Sequence, residues 1–258
     1  MKSFAMNWGL IGDTGFVGST LSRNIAFTAS FNSKTIDDIA GKEFDAVVCA
    51  GAPAVKWLAN KNPEEDLGNL TKLMDALSTI RTRHLILVST IDVYPTAHDV
   101  NEADTPEKHV EAYGRNRRLL ELFVESEFEQ STIIRLPGLF GEGLKKNIIF
   151  DLVHTNQTEK INPASRFQWY PMERLHSDLK KIVAADIRLV NIAPEPIKTA
   201  DIAKALFPQV LLGPAAYPAP AYDMHTLHAS LLGGTGHYHI SASEIMERLK
   251  GFVMRTTA

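Results

Sequence analysis

The stretch Gly12-Asp13-Thr14-Gly15-Phe16-Val17-Gly18 constrains the fold of this chain more than any other. Trp8 to Ile11 before it reads as a short buried strand, and Ser19 to Phe27 after it reads as a helix. The glycines therefore fall in a tight strand-to-helix turn. Glycine suits such a turn because it bends sharply, lets backbone N–H groups approach a pyrophosphate, and lets helix and strand pack closely. The helix N-terminus adds unpaired N–H groups and a partial positive charge. A dinucleotide's phosphates are the expected occupant, and an ordinary glycine-rich turn is the alternative.

Short apolar runs alternate with helical patterns through the first half. Strands are predicted at 8–11, 29–32, 46–50, 85–89 and 132–136, and helices at 18–27, 64–80 and 112–125. Asn62-Pro63-Glu64-Glu65 has the form of a helix start, with a cap residue, proline in the first turn and then acids. Thr105-Pro106-Glu107 suggests another. Alternating elements predict an α/β fold, a Rossmann-type doubly wound parallel sheet. After Gly141 the pattern changes. Helices are expected near 147–154, 177–185 and 199–206, a strand at 188–192, and a last helix after the capping box Ser241-Ala242-Ser243-Glu244. The expected division is a dinucleotide-binding domain at 1–141 and about 175–193, with a small C-terminal substrate lobe at about 142–174 and 194–258.

The 258 residues suffice for a full core, and a net charge of -3 gives no pull toward nucleic acid or an anionic membrane. No stretch approaches the length of a membrane span. Cys49 is the one cysteine, at the end of an apolar run, and reads as a buried structural thiol in a protein of the reducing cytoplasm.

Two further clusters belong near the glycine loop in such a sheet. Ser89-Thr90-Ile91-Asp92-Val93-Tyr94 ends an apolar strand, and Tyr113-Gly114-Arg115-Asn116-Arg117 starts a helix. Tyr113 and Arg117 are four apart and share a helix face. A hydroxyl, a tyrosine and a cation form a proton-transfer set: the hydroxyl orients a carbonyl, the tyrosine exchanges the proton, and the cation favours the phenolate. Free tyrosine has a pKa of about 10, so bringing it near 7 requires roughly 4 kcal/mol of differential stabilisation. Ser89 is the alternative to Thr90, and Asp92 reads equally as a substrate contact or a turn former.

With these residues in order, the chain resembles the extended short-chain dehydrogenase/reductase family of nucleotide-sugar epimerases, dehydratases and reductases. The stretch 12–18 is similar to the family's TGxxGFxG loop, and Val48-Cys49-Ala50-Gly51-Ala52 to the strand and turn beside the adenosine. Asn69 matches a structural asparagine, Thr90 the catalytic hydroxyl, and Tyr113 the tyrosine of YxxxK. Residues 134–141 resemble the crossing into the substrate lobe. The resemblance implies that Gly12, Thr14, Gly15, Phe16, Val17, Gly18, Ala50, Gly51 and Ala52 hold the cofactor, with Tyr113 and Arg117 at its nicotinamide end. Three residues depart from the pattern. Arg117 stands for the family's lysine, Asp13 replaces a more usual neutral residue, and Gly138 sits where many members carry a substrate-binding asparagine.

The second strand ends Phe31-Asn32-Ser33-Lys34, without the acid that commonly binds the ribose hydroxyls of NAD. Ser33 and Lys34 suit a 2′-phosphate, or form a solvated turn, so the cofactor is expected to be NADP or NAD with NADP slightly favoured. Lys145, Lys146 and Asn147 read as a solvated group or a substrate contact, and Arg166, Trp169 and Tyr170 as core or pocket lining. His225, His228, His237 and His239 complete no metal motif, and no metal is expected. The expected function is an NAD(P)-dependent oxidoreductase, epimerase or dehydratase. Thr90, Tyr113 and Arg117 would be catalytic, acting on a sugar nucleotide or another hydroxylated carbonyl compound. A non-catalytic dinucleotide-binding sensor is the alternative. The expected partner is a small-molecule substrate, without nucleic acid or membrane. Leu119, Leu120 and Phe123 read equally as core or as the interface of a homodimer.

Overall fold

The computed structural model describes residues 7–106 and 111–257. Its centre is a six-stranded sheet built from β1 (Trp8–Ile11), β2 (Ala29–Phe31), β3 (Glu43–Cys49), β4 (Arg81–Thr90), β5 (Ser131–Leu136) and β6 (Leu189–Asn191), in the order β6-β5-β4-β3-β1-β2. The pairs β1–β2, β1–β3 and β3–β4 are parallel. The strand order reverses at β1, with β2 on one side and β3 on the other, which is where open α/β sheets form a ligand crevice. The helices are α1 (Phe16–Ser22), α2 (Lys56–Lys61), α3 (Pro63–Ser78), α4 (Ala112–Glu127), α5 (Ile148–His154), α6 (Leu175–Ala184), α7 (Thr199–Leu206) and α8 (Ala242–Thr257).

The chain forms two compact units. One takes in the chain up to Pro95 with Thr105–Arg135 and Leu179–Val190. The other takes in Thr96–Asp104, Leu136–Asp178 and the chain from Asn191 on. In the first, Val47, Cys49, Leu85 and Leu87 are alternate residues of two strands and so line one face. Leu70 and Leu77 of α3 and Leu120 and Val124 of α4 join the same core. Residues 66, 70, 73 and 77 of α3 are buried, a stripe at helical spacing.

Local details depart from expectation. α1 ends at Ser22 rather than running to 27, because the chain must return to lay β2 beside β1, with the Thr28 N–H donating to Trp8 O at 2.8 Å. Asn62 precedes α3 but its side chain does not cap it, donating instead to Glu65 Oε2 at 3.0 Å. α2 was not expected. The proposed helix start at Thr105-Pro106-Glu107 reaches residue 107, outside the described residues. The capping box is half formed: Ser241 Oγ accepts from the Glu244 N–H at 3.3 Å, while Glu244 pairs with Arg248 and Arg174.

In the second unit Trp169 and Tyr170 are core, and the Tyr170 hydroxyl donates to Asp178 at 2.8 Å. Asn147 caps α5, accepting from the Phe150 N–H at 3.1 Å. Arg166, Lys145 and Lys146 are exposed. His239 is 1% exposed, and burial lowers its pKa from 6.5 to about 4, against the pull of Asp178. Between these values the unfolded chain takes up a proton that the native protein refuses, so native stability falls as pH drops from 6.5 and levels off below about 4. The expected loss is up to about 3 kcal/mol across that window. Urea unfolding between pH 7 and pH 4 measures it, and His239→Phe should remove this part of the slope. Equal slopes in both proteins would contradict it.

Candidate active site

The loop after β1 is held by three strand ends. The Gly12 N–H donates to Phe31 O of β2 at 2.7 Å, and the Ala50 N–H donates to Ile11 O of β1 at 2.8 Å. Gly12 has φ +92°, and a Cβ there would lie 2.3 Å from Ala50 O. At Gly18 a Cβ would lie 2.0 Å from Gly12 O. Both positions thus exclude a side chain for steric reasons. Thr14 and Gly15 are exposed, and Phe16 and Val17 are half-buried at the start of α1, which has no side-chain cap. A loop this close to its own strand ends, with backbone exposed at its tip, fits a pyrophosphate. Ala50, Gly51 and Ala52 are half-buried after β3, while Ser33 and Lys34 are exposed after β2. The Cys49 thiol is buried and pushed up to about 11, so it is inert.

Thr90 ends β4 and Tyr113 lies in the first turn of α4, where its N–H donates to Asn60 Oδ1 at 2.9 Å. Thr90 Oγ1 accepts from the Asp92 N–H at 3.2 Å, and its side chain favours the ionised form of Tyr113. Asp92 pairs with Lys56 at 2.8 Å, and Lys56 lies 3.6 Å from Glu111. Lys56 opens α2, an element absent from the sequence reading, which is why this cation was missed.

Arg117 reaches Tyr113 differently from the expected geometry. Its Cζ lies over the Tyr113 ring, 4.0 Å from the centroid, rather than at the hydroxyl. The guanidinium grips Asp66 with both nitrogens, Nη1 to Oδ2 at 2.5 Å and Nη2 to Oδ1 at 2.8 Å, and donates to Pro53 O at 2.5 Å. Arg117 and Asp66 are 2% and 5% exposed. Its charge is therefore largely matched by a carboxylate. The Tyr113 hydroxyl is pushed up from its ordinary value of 10, not down. Burial is the largest cause; Arg117, Thr90 and Lys56 pull it back, and Asp92 adds to the rise. The expected phenolate-favouring cation is present but does not win.

Two other expectations are corrected. Ser89 does not stand in for Thr90, since its hydroxyl donates to Glu121 Oε1 at 2.6 Å. Glu121 is fully buried and bidentate with Arg135, at 2.9 and 2.7 Å, and Arg135 also donates to the Tyr94 hydroxyl at 2.7 Å. Residues 113, 117 and 121 share one helix face, so extending the i, i+4 spacing by one turn would have found Glu121. Asn69 is exposed, and the buried polar residue of α3 is Asp66, one turn earlier. In the second unit, a Cβ on Gly138 would lie 2.8 Å from the Trp169 ring, so packing explains the glycine. Among the described residues no group of three or more His, Cys, Asp or Glu is placed to hold a metal. None of the described helices is long and apolar enough to cross a membrane.

A family model described as the NAD dependent epimerase/dehydratase family matches residues 28–163, just over half of the chain. Solved structures share its fold. The dTDP-4-dehydrorhamnose reductase of Clostridium acetobutylicum is 15% identical, covering 98% of this chain and 100% of that one, with a TM-score of 0.76. The dTDP-4-dehydrorhamnose reductase of Bacillus anthracis, in complex with NADP, is 15% identical, covering 99% and 100%, with a TM-score of 0.76. The UDP-glucose 4-epimerase of Thermotoga maritima, with UDP-glucose, is 14% identical, covering 98% and 99%, with a TM-score of 0.73. At these identities the likeness is one of fold. No curated protein matches the chain.

Proposed function

The chain belongs to the NAD dependent epimerase/dehydratase family, and from that premise we propose that it is an NAD(P)-dependent oxidoreductase, epimerase or dehydratase acting on a sugar nucleotide or another hydroxylated carbonyl compound. The observation that carries this reading is the Gly12–Gly18 loop at the switch point of the sheet, where a Cβ on Gly12 or Gly18 would strike backbone; Thr90 at the end of β4 and Tyr113 in the first turn of α4 complete the set. The named substrates of the reductase and epimerase of like fold, dTDP-4-dehydrorhamnose and UDP-glucose, support a sugar nucleotide.

In this reading Gly12, Thr14, Gly15, Phe16, Val17 and Gly18 hold the pyrophosphate, and Ala50, Gly51 and Ala52 flank the adenosine. The nicotinamide, when bound, supplies or accepts a hydride. Thr90 orients the substrate oxygen, and Tyr113 hands over or takes up its proton. Arg117 fixes the Tyr113 ring from its face and ties it to Pro53 beside the adenosine strand. The second unit is assigned to substrate. Cytoplasmic residence, on the one buried cysteine, and a homodimer through the exposed Leu119 and Leu122 of α4 belong to the same reading. The matching of Arg117 by Asp66 favours one second reading, a dinucleotide-binding sensor without turnover.

Calorimetric titration with NAD and with NADP tests the dinucleotide. The protein is expected to bind at least one, and Gly18→Ala is expected to abolish that binding in a chain that still melts cooperatively, because the methyl group meets Gly12 O. Binding of neither by the unmodified protein overturns the reading.

A further inference from the structure

The residues that end and follow β2, Phe31-Asn32-Ser33-Lys34, include no acid to bind a ribose. The fold brings one there from another part of the chain. The Asp13 N–H, in the glycine loop, donates to Phe31 O, the last residue of β2, at 3.4 Å. Asn32 follows β2 directly, and its amide is bonded at both ends. Oδ1 accepts from the Lys34 N–H at 3.0 Å, which leaves Nδ2 to donate to Asp13 Oδ1 at 3.2 Å. The Asp13 carboxylate is thus held against the C-terminal end of β2, half-buried, with Oδ2 free of partners among the described residues. In a doubly wound sheet this is where the adenosine ribose is read: an acid accepts its hydroxyls, and a base favours a 2′-phosphate.

We propose that Asp13 selects the dinucleotide, its carboxylate accepting a ribose hydroxyl of NAD and repelling the 2′-phosphate of NADP. The inference rests on the dinucleotide reading of the loop. Lys34 is the opposing charge. It is exposed, so water and salt screen it, whereas Asp13 is half-buried and held by Asn32. The fixed charge outweighs the screened one, and NAD becomes the preferred cofactor over NADP.

The test is a calorimetric titration of the full chain and of Asp13→Asn with NAD and NADP at one ionic strength. The unmodified protein is expected to bind NAD roughly tenfold or more tighter than NADP. Asp13→Asn keeps the size of the side chain and removes its charge. It is expected to weaken NAD, strengthen NADP, and cut the ratio by roughly tenfold. Lys34→Ala should widen the original ratio. Tighter binding of NADP by the unmodified protein overturns the proposal without any variant, and so does a ratio that Asp13→Asn leaves unchanged. Both leave the dinucleotide reading standing, whereas binding of neither cofactor removes that reading and the proposal together.

Discussion

Tyr113→Phe is expected to lower turnover by about 10²- to 10⁴-fold while leaving dinucleotide affinity within a few-fold. The ring is kept, so its packing beneath the Arg117 guanidinium survives, and only the hydroxyl is lost. The hydroxyl is held above its ordinary value of 10, mainly by burial. It is therefore protonated throughout the neutral range and serves first as an acid. Activity in the reducing direction should stay level from neutral pH upward and fail only as the tyrosine loses its proton, above 10. In the oxidising direction the same shift works against the enzyme, since the phenolate is scarce. Steady-state kinetics in both directions, with sugar nucleotides as the panel, measure this. A protein that binds dinucleotide but turns over none of the panel supports the sensor. A Tyr113→Phe variant as active as its parent removes Tyr113 from the chemistry.

Asp66→Ala is expected to destabilise the protein by about 3–5 kcal/mol. The substitution leaves Arg117 buried, charged and without its bidentate partner. Asn116 also donates to Asp66 Oδ2 at 2.9 Å and loses that acceptor. The exposed pair Arg81–Glu43 makes a comparably short contact, 2.9 Å, yet its removal should change little, because solvent replaces the lost partner. Urea unfolding of the two variants measures the contrast. Asp66→Leu combined with Arg117→Met should recover much of the loss, since no buried charge is then left unpaired. A change in Asp66→Ala no larger than in Glu43→Ala would mean that water reaches Arg117 freely.

Most elements of the sheet, Thr90 at the end of a strand and Tyr113 in the first turn of a helix were legible because they rest on short-range rules. Alternate apolar residues make a strand, a glycine run makes the turn after β1, and four-residue spacing puts Tyr113 and Arg117 on one helix face. What the polar side chains meet was not legible, because their partners come from distant parts of the chain. Arg117 finds Asp66 across 51 residues, Ser89 finds Glu121 across 32, and Asn32 finds Asp13 across 19. Each of these pairs changes a role. Arg117 becomes a matched charge over a ring face, Ser89 a member of a buried network, and Asp13 an acid at the end of β2. The sequence by itself determined the α/β alternation, the loop and the candidate proton-transfer residues, since local sterics and periodicity decide those. Only the tertiary structure decided which charges are matched and which stand open to a ligand, because the electrostatics of a buried group depend on neighbours that folding brings within about 3 Å.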